Sequence, residues 1–410
     1  MVQGDEAAEA GATGPADPLC GEDPAARTPL PAGPTYALGM DPASKLHPLR
    51  RLLRGLGLFA AACMGSLTLG LSAFAALLGT WHFVALGGSA LLLCVALGLA
   101  SWWPRRRRQA LVAALLGLVP ALSLLLPLPQ EQEGAALIRS RSVFGERGTP
   151  WFAGLPEAEL VRAGEGLGWR GHEARSVERL GGVASVYPAL APGLFERQES
   201  LVLDSWVLDR GHYFFALPPT ASRSRKAPLL VFLHGNGGNF RVYASWLAPL
   251  ASKAGIATAF PTWGFGNWRS PAALQRVLEV IDDAGRSGEV DPERVLLVGL
   301  SAGALGAVEM LLAKSERFRG LALISGAPLE PLSPEQARAA ARVPAFLVHG
   351  DLDGHLPVEG PRRFAAALRA AGGSVHYDEV SGADHTLLLF EHERILEELL
   401  AWARPLLGLK

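Results

Sequence analysis

The sequence predicts an α/β domain whose mostly parallel sheet carries helices on both faces, preceded by about three transmembrane helices. From residue 200 onward, short apolar runs alternate with amphipathic helical segments, a pattern typical of parallel strands buried on both faces. Before residue 131, three stretches without a charged side chain each exceed the roughly 20 residues that cross a hydrocarbon core as a helix. The mean hydropathy of +0.22 agrees, because ordinary soluble enzymes seldom average above zero.

The composition excludes several classes of protein. Basic and acidic residues nearly balance, 38 against 39, so the chain lacks the strong basic bias of a dedicated nucleic-acid binder, and we expect no nucleic-acid partner. All three cysteines precede residue 95, so neither a disulfide scaffold nor a cysteine-based zinc site can form after that point. The α/β domain is therefore expected to fold without disulfide bonds.

Residues 1–44 are rich in Ala, Gly and Pro, carry no apolar periodicity and are predicted to be disordered. Residues 45–130 form the predicted membrane segment, in which His82 and the run Arg105–Arg108 separate the uncharged stretches. Tryptophans flank the predicted spans, as an aromatic belt at the membrane interface would place them. The three spans are predicted at about Leu56–Leu78, Phe83–Trp103 and Ala110–Leu128.

Two basic clusters predict the orientation of these spans. One lies at residues 45–54, before the first span, and the other is Arg105–Arg108, between the second and third spans. With three spans both clusters lie on one side, so the positive-inside rule predicts a cytoplasmic N-terminus and residues 131–410 outside. The expected protein is a multi-pass protein that contacts the lipid bilayer through its N-terminal helices. Its richness in Ala, Leu, Gly and Arg suggests a GC-rich bacterial genome, and the expected location is the bacterial inner membrane.

Two alternatives remain for the apolar stretches. They could be core helices of a soluble domain, although such helices rarely exceed roughly 20 residues without a charge. They could include a cleaved signal peptide, although its apolar region would be shorter and would end at a small-residue cleavage site. The arginine run could be taken for a nucleic-acid patch, but its position between two spans favours a topology anchor.

Residues 131–200 are polar and are predicted as a linker and irregular flank of the domain that follows. Residues 201–410 form the predicted α/β domain, which opens with strands at Leu201–Leu208 and His212–Leu217. Further strands are predicted at Leu229–Leu233, Ala257–Phe260, Val295–Leu300, Leu321–Ser325, Ala345–His349 and Val375–Val380. Helices are predicted at Tyr243–Ala254, Pro271–Ala284, Ala302–Ala313, Val358–Ala371 and Glu391–Leu406.

The segment Gly299–Gly303 reads G-L-S-A-G and lies between a predicted strand and a predicted helix. In such a turn the serine backbone is strained, and flanking glycines are needed because side chains there would collide with the strand and the helix. The turn would direct the Ser301 hydroxyl outward. The pattern occurs by chance in glycine-rich chains, but this context favours a nucleophile.

The segment His234–Gly238 reads H-G-N-G-G and ends the strand Leu229–Leu233. A glycine-rich turn there lets a backbone N–H approach a substrate carbonyl. We predict that the N–H groups of Asn236 and Ala302 form an oxyanion hole. A phosphate-binding loop is the alternative, but neither G-K-[ST] nor G-x-G-x-x-G occurs in register.

Two further loops supply a candidate acid and a candidate base. The loop after the strand Ala345–His349 contains Asp351 and Asp353, and either carboxylate could orient a histidine. The loop after the last strand contains His385, which could serve as general base and then as general acid. The other histidines of these loops, at positions 234, 349 and 355, are expected to be structural.

With these motifs in the order Ser, Asp, His, residues 200–410 resemble the α/β-hydrolase superfamily. HGNGG, GLSAG, HGDLDGHLP and GADH are most similar to bacterial serine esterases of the dienelactone-hydrolase and polyhydroxybutyrate-depolymerase-like groups. Their acid loop usually reads G-x-x-D-x-x-V-P, which implies Asp353 as the acid, with Leu356 in place of the usual valine. The segment Trp263–Trp268 resembles a loop of some of these esterases, in which Trp263 or Trp268 would border the acyl pocket.

The resemblance and the residues imply one mechanism. Ser301 attacks an ester carbonyl, His385 takes its proton, Asp353 orients the imidazole, and the N–H groups of Asn236 and Ala302 hold the oxyanion. No metal and no organic cofactor are expected. The stretch between the strands ending at Ser325 and beginning at Ala345 is too short for the lid domain of many lipase-like relatives, so small-molecule or exposed ester substrates are expected.

Three other functions fit the same fold. A peptidase of the prolyl-oligopeptidase type uses the same core and triad but usually carries a propeller domain that this chain lacks. A membrane acyltransferase could use the same acyl-enzyme. A catalytically silent binding protein would need a broken triad, and all three members are present.

Overall fold

The computed structural model describes residues 42–77, 81–102, 138–144, 211–264 and 266–409, together with residues 108, 109, 112, 157 and 201. Contacts divide the chain into two compact units, Met1–Leu53 and Arg54–Lys410. Residues 1–41 of the predicted disordered tail, residues 202–208 of the predicted strand Leu201–Leu208, most of the linker and almost all of the third predicted span lie outside the described residues.

The second unit contains an eight-stranded sheet with the order β1-β2-β4-β3-β5-β6-β7-β8. Strands β1 and β2 run antiparallel to their neighbours, and all pairs from β3 to β8 are parallel. This is the strand order of the α/β-hydrolase fold, so the predicted fold of this domain is confirmed. The strands are β1 (Arg139–Ser142), β2 (His212–Ala216), β3 (Ala227–Leu233), β4 (Ala257–Pro261), β5 (Val290–Leu300), β6 (Gly320–Ile324), β7 (Ala345–Gly350) and β8 (Val375–Val380).

Six helices of the described chain accompany this sheet. Their apolar sides form two separate layers, one containing residues of α4, α5, α6 and α7 and the other containing residues of α3 and α8. The helices are α3 (Arg241–Lys253), α4 (Pro271–Gly285), α5 (Ala302–Lys314), α6 (Pro334–Ala340), α7 (Glu359–Ala370) and α8 (Leu387–Leu406). Of these, the short α6 was not predicted, because its seven residues carry too little apolar periodicity.

Strand β3 shows why the continuous apolar pattern predicts a doubly covered sheet. All of its seven residues are buried. Leu229, Val231 and Leu233 belong to one apolar layer, whereas Leu230 and Phe232 belong to the other. Because successive side chains of a strand point to opposite faces, a strand covered on both sides must be apolar at every position.

The sheet begins earlier in the chain than the predicted domain boundary at residue 201. Its edge strand β1 comes from the segment predicted as a linker and pairs with β2, from Arg139 opposite Phe215 to Ser142 opposite His212. The sequence of β1, Arg-Ser-Arg-Ser, has no apolar alternation, so it gives no strand signal. Its Arg141 instead lies over the Phe215 ring at 4.9 Å and forms an ion pair with Asp283 at 3.1 Å.

Glu157, from the same predicted linker, also contacts the domain. Its Oε1 accepts a hydrogen bond from the backbone N–H of Arg241, at the start of α3, at 2.5 Å. The preceding residue, Phe240, provides no side-chain cap for this helix, so Glu157 satisfies one of the N–H groups that a helix leaves without an acceptor. Burial raises the pKa of this carboxyl to about 8.

Two long apolar helices precede the sheet: α1 (Pro42–Leu77) and α2 (Trp81–Trp102). They contain the first two predicted spans except for the last residue of each, Leu78 and Trp103, which lies outside the described residues. Close approaches join them through small residues, since a Cβ on Gly87 would overlap Ser72 and one on Gly98 would lie 3.8 Å from the Ala61 Cβ. Within the described residues, one segment, Arg51–Gly70, is long and apolar enough to cross a membrane, and Leu86–Gly98 is a shorter apolar segment.

Candidate active site

Ser301 lies at the sharp turn between β5 and α5, at the carboxyl edge of the parallel strands. Its backbone has φ 54° and ψ −116°, a region that residues with a side chain rarely occupy. A Cβ on Gly299 would lie 2.4 Å from the carbonyl oxygen of Gly303, and one on Gly303 would lie 2.2 Å from that of Leu233. Both positions therefore require glycine, which explains the spacing of the G-x-S-x-G segment.

The three predicted triad residues meet at this edge of the sheet. Ser301 Oγ lies 2.9 Å from Nε2 of His385, and Nδ1 of the same imidazole lies 2.8 Å from Oδ2 of Asp353. Asp353 follows β7 and His385 follows β8, and these neighbouring parallel strands end side by side. Ser301 and Asp353 are buried, whereas the His385 side chain is 21% exposed. The imidazole of His385 thus connects the Ser301 hydroxyl to the buried Asp353 carboxylate through two consecutive hydrogen bonds.

The Asp353 carboxylate is held from several directions. Its Oδ1 accepts hydrogen bonds from the backbone N–H groups of His355 and Leu356, at 2.9 and 2.8 Å. Burial alone would raise the pKa of this carboxyl, but the interactions with His349 and His385 outweigh burial and hold the pKa well below its usual range. Asp353 is therefore ionised throughout the range in which proteins work, as an acid that stabilises an imidazolium must be.

Asp351, the competing candidate, points elsewhere. Its Oδ1 accepts a hydrogen bond from the backbone N–H of Gly382 at 2.7 Å, and its Oδ2 accepts one from the Ser381 hydroxyl at 3.2 Å. Asp351 thus holds the loop that carries His385, whereas the carboxylate hydrogen-bonded to the imidazole is that of Asp353.

His234 fixes the glycine-rich turn that follows β3. It is fully buried, and burial lowers its pKa to about 4, so the imidazole is neutral at physiological pH. Its Nδ1 lies 2.8 Å from the Gly235 carbonyl oxygen, and its Nε2 accepts the backbone N–H of Trp263 at 3.3 Å. Because C=O and N–H of one trans peptide point in opposite directions, fixing the Gly235 carbonyl also fixes the direction of the Asn236 N–H.

The predicted oxyanion donors lie on two segments that approach each other. A Cβ on Gly235, the neighbour of Asn236, would lie 3.3 Å from the Ser301 Cβ. Ala302 begins α5, so its N–H is one of those that a helix leaves without an intrahelical acceptor. Gly266, at φ 101°, packs directly on the peptide between Gly235 and Asn236, where a Cβ would lie 2.7 Å from the Gly235 oxygen.

The two predicted pocket tryptophans differ in position. Trp268 is 1% exposed, donates its indole N–H to the His234 carbonyl at 2.8 Å and packs so closely on α5 that a Cβ on Gly306 would overlap it. Trp263 is partly exposed and donates its indole N–H to the Asn267 carbonyl at 2.9 Å. Trp268 therefore supports the glycine-rich turn from behind, and Trp263 is the one with free surface.

Sequence reasoning did not identify the contacts of two histidines with the predicted triad residues. The His355 ring is exposed, and its centroid lies 4.7 Å from that of His385. Nε2 of His349 lies 3.2 Å from Asp353 Oδ2. Their positions two residues after and four residues before Asp353 were the available signal. Among the described residues, no three His, Cys, Asp or Glu side chains are grouped to hold a metal ion.

Part of this chain is similar to known hydrolases. The family of phospholipases and carboxylesterases matches residues 269–402, a range that contains Ser301, Asp353 and His385 but begins after the turn at His234. A solved esterase from Rhizomucor miehei superposes with a TM-score of 0.42 at 18% identity, over 48% of this chain and 80% of that protein.

Two curated proteins are similar over shorter stretches. NocK of Nocardia uniformis subsp. tsuyamanensis, which bears the name of an esterase, is 26% identical over 188 residues, 43% of this chain and 54% of that protein. Poly(3-hydroxyalkanoate) depolymerase C of Paucimonas lemoignei is 30% identical over 117 residues, 25% of this chain and 28% of that protein. The chain thus spans about half of the first relative and less of the second.

Proposed function

We propose that this protein is a membrane-anchored serine hydrolase that cleaves carboxylic esters through an acyl-enzyme. The observation that carries the proposal is the line from Ser301 Oγ through His385 to Asp353, with separations of 2.9 and 2.8 Å. The partial match to phospholipases and carboxylesterases supports the same class of reaction.

In the first half of the reaction, Ser301 Oγ attacks the ester carbonyl carbon while Nε2 of His385 takes the hydroxyl proton. Asp353 keeps the imidazole in the tautomer with hydrogen on Nδ1 and stabilises the cation that forms. When the tetrahedral intermediate collapses, the imidazolium gives its proton to the leaving alcohol. The products of this half are the alcohol and an ester of Ser301.

In the second half, water attacks the acyl-enzyme with His385 again as base, and the acid and free Ser301 are released. The negative oxygen of both tetrahedral intermediates needs donors that are already in place. We assign this role to the N–H groups of Asn236 and Ala302. The Gly235 carbonyl, held by His234 and covered by Gly266, supports the assignment because it directs the Asn236 N–H.

The stretch between β6 and β7 bears on the substrate. It runs from residue 325 to residue 344 and contains only the seven-residue helix α6. This length leaves no room for an inserted lid domain, which favours small-molecule esters or ester groups exposed on a larger substrate. Trp263, with its partly exposed ring, is the better placed of the two tryptophans to border the acyl group.

This proposal predicts hydrolysis of p-nitrophenyl esters by the full chain purified in detergent, with the highest kcat/KM at short acyl chains. An open site offers little apolar surface to a long chain, so palmitate should be a poorer substrate than acetate or butyrate. Covalent labelling by a fluorophosphonate tests independently whether the chain contains an activated serine.

The other outcomes each point to a different function. Labelling without turnover of any ester would indicate a peptidase or an acyltransferase, and product analysis would separate these two. A folded chain that neither labels nor turns over esters would contradict the proposal and favour a binding protein. If kcat/KM were highest for the palmitate ester, the open site would be contradicted, but the proposed ester hydrolysis would not.

The membrane part of the proposal depends on the two N-terminal helices. Large apolar side chains are exposed along α1, among them Leu56, Phe59 and Leu67, and along α2, among them Leu92 and Leu97. Apolar surface of this extent is costly in water, so it favours insertion in a lipid bilayer. With the third predicted span and the basic clusters at 45–54 and Arg105–Arg108, the N-terminus is cytoplasmic and the α/β domain extracytoplasmic.

Protease added to intact spheroplasts is therefore expected to digest the α/β domain. The full chain should sediment with membranes and resist extraction by high salt. A cytoplasmic protein of the same cells, left intact, shows that the spheroplasts are sealed. A domain that becomes sensitive only after lysis would contradict the orientation, and a chain released by salt would contradict the anchor.

A further inference from the structure

His349 is a buried imidazole directly beside the hydrogen-bonded series Ser301–His385–Asp353, here called the catalytic line. It lies near the end of β7, and its side chain is 1% exposed. Its Nε2 lies 2.7 Å from the backbone carbonyl oxygen of Leu356 and 3.2 Å from Oδ2 of Asp353. Both neighbouring atoms are hydrogen-bond acceptors, and an unprotonated nitrogen between them would be repelled by both. Nε2 therefore carries the hydrogen.

The other ring nitrogen fixes the charge of His349. Nδ1 is buried and has no hydrogen-bond partner among the described residues. An imidazolium would bury a second N–H without an acceptor there, which costs far more than an unpartnered lone pair. His349 is therefore assigned, from its surroundings, as the neutral tautomer with hydrogen on Nε2.

The contacts of His349 close a ring around the acid. Leu356 accepts from His349 through its carbonyl and donates its own N–H to Oδ1 of Asp353 at 2.8 Å. His349 thus holds Asp353 twice, once through the short approach to Oδ2 and once through the backbone of Leu356. The contact with the Leu356 carbonyl is the shorter of the two, 2.7 against 3.2 Å, so the hydrogen of Nε2 is shared mainly with that carbonyl.

We propose that His349 is a positioning residue that holds the Asp353 carboxylate with Oδ2 against Nδ1 of His385. This inference rests on the proposed function, since it assigns a task within the same catalytic line. His349 acts through Asp353 and Leu356 and does not contact the substrate. Its Nε2 faces Leu356 and Asp353, so it orients the carboxylate and does not contact the Ser301 hydroxyl whose proton His385 takes.

Without the hydrogen on Nε2 of His349, the Asp353 carboxylate should be free to rotate, and the turn that carries Asp353 should become less ordered. The imidazole of His385 would then spend less time aligned on Ser301, while the substrate would still bind. Misplacement of catalytic groups by about 1 Å can cost about 100-fold in rate. We expect kcat to fall by about 10- to 100-fold with KM nearly unchanged, less than the loss of Asp353 itself would cost.

Two amide variants separate positioning from simple loss of the ring. In His349→Gln the amide nitrogen can reach the place of Nε2, whereas in His349→Asn it reaches only the place of Nδ1. The full chain in detergent is compared for kcat, KM and the rate of fluorophosphonate labelling. His349→Asn should show the fall in kcat and in labelling rate, and His349→Gln should recover to within about threefold of the wild type.

A control histidine lies on the neighbouring strand. His376, on β8, stacks on Phe346 and pairs with Glu398 at 3.0 Å, and the side chains of this pair are partly exposed. His376→Asn removes a comparable ring and should leave kcat within about twofold. The melting temperature of each variant shows whether a lost rate reflects unfolding.

Several outcomes would overturn the inference. Equal kcat in folded His349→Asn and the wild type would do so, as would a loss confined to KM. If His349→Asn does not fold, His349→Gln decides alone: a folded Gln variant below about one tenth of the wild-type kcat would overturn the positioning role. A wild type that neither labels nor hydrolyses esters would overturn the proposed function and this inference with it.

Discussion

Replacement of Ser301 with alanine is expected to lower ester turnover by about 10⁵-fold or more. The hydroxyl is the only group of the catalytic line that can form the acyl-enzyme, and loss of the corresponding serine in a well-studied protease costs about 10⁶-fold in kcat. The residual rate would come from the oxyanion donors and from substrate binding. The measurement is the initial rate of p-nitrophenyl butyrate hydrolysis by the full chain in detergent, with fluorophosphonate labelling alongside.

Ser325 provides a matched control for this substitution. It is buried, it has a positive φ of 49°, and its hydroxyl has no partner among the described residues. Ser325→Ala therefore removes a neighbouring strained serine hydroxyl that belongs to no catalytic contact, and turnover should stay within about threefold. If Ser301→Ala keeps more than about one hundredth of the wild-type rate, Ser301 is not the nucleophile.

Replacement of Asp353 with asparagine is expected to lower kcat by about 10⁴-fold. The amide group can donate to Nδ1 of His385, which would favour the tautomer with hydrogen on Nε2, and that tautomer cannot accept the Ser301 proton. The substitution also removes the buried charge that stabilises the imidazolium. KM should change little, because the carboxylate does not contact the substrate.

Asp351→Asn is the matched control, since both positions lie in one turn. An asparagine there keeps a carbonyl oxygen that can accept the Gly382 N–H, the shorter of the two contacts of Asp351. We expect less than about a tenfold loss of kcat. Comparable losses for the two variants would mean that the turn tolerates no change and that the acid is not identified; a larger loss for Asp351→Asn would reassign the acid.

The core of the domain could be predicted because its strands are apolar at every position. β3 and β5 end in apolar residues buried on both faces, and the predicted ends lie within two residues of the observed ones at their carboxyl termini. These carboxyl termini carry the site, so Ser301 and the turn at His234 could be placed from sequence. The choice between Asp351 and Asp353 could not be derived from spacing and depended on a family resemblance.

Other features gave no usable signal. β1 is held by guanidinium contacts of Arg141 with Asp283 and Phe215, and such contacts leave no periodicity in a four-residue strand. His349 was expected to be structural, because it flanks a turn, where a histidine side chain is more often hydrogen-bonded to loop backbone. It does bond the Leu356 carbonyl, and only the three-dimensional turn brings that bond next to Asp353.

The edge strand β1 determines where the catalytic part of the chain can be cut. A fragment that starts at residue 201 would keep β2 but lose its outer partner, exposing the unpaired backbone of His212–Ala216 along the sheet edge. All five of these residues are buried in the complete structure. An uncovered apolar edge recruits strands of other molecules, so such a fragment should aggregate. A fragment that starts before Arg139 keeps the edge covered by a polar strand whose arginines discourage that pairing.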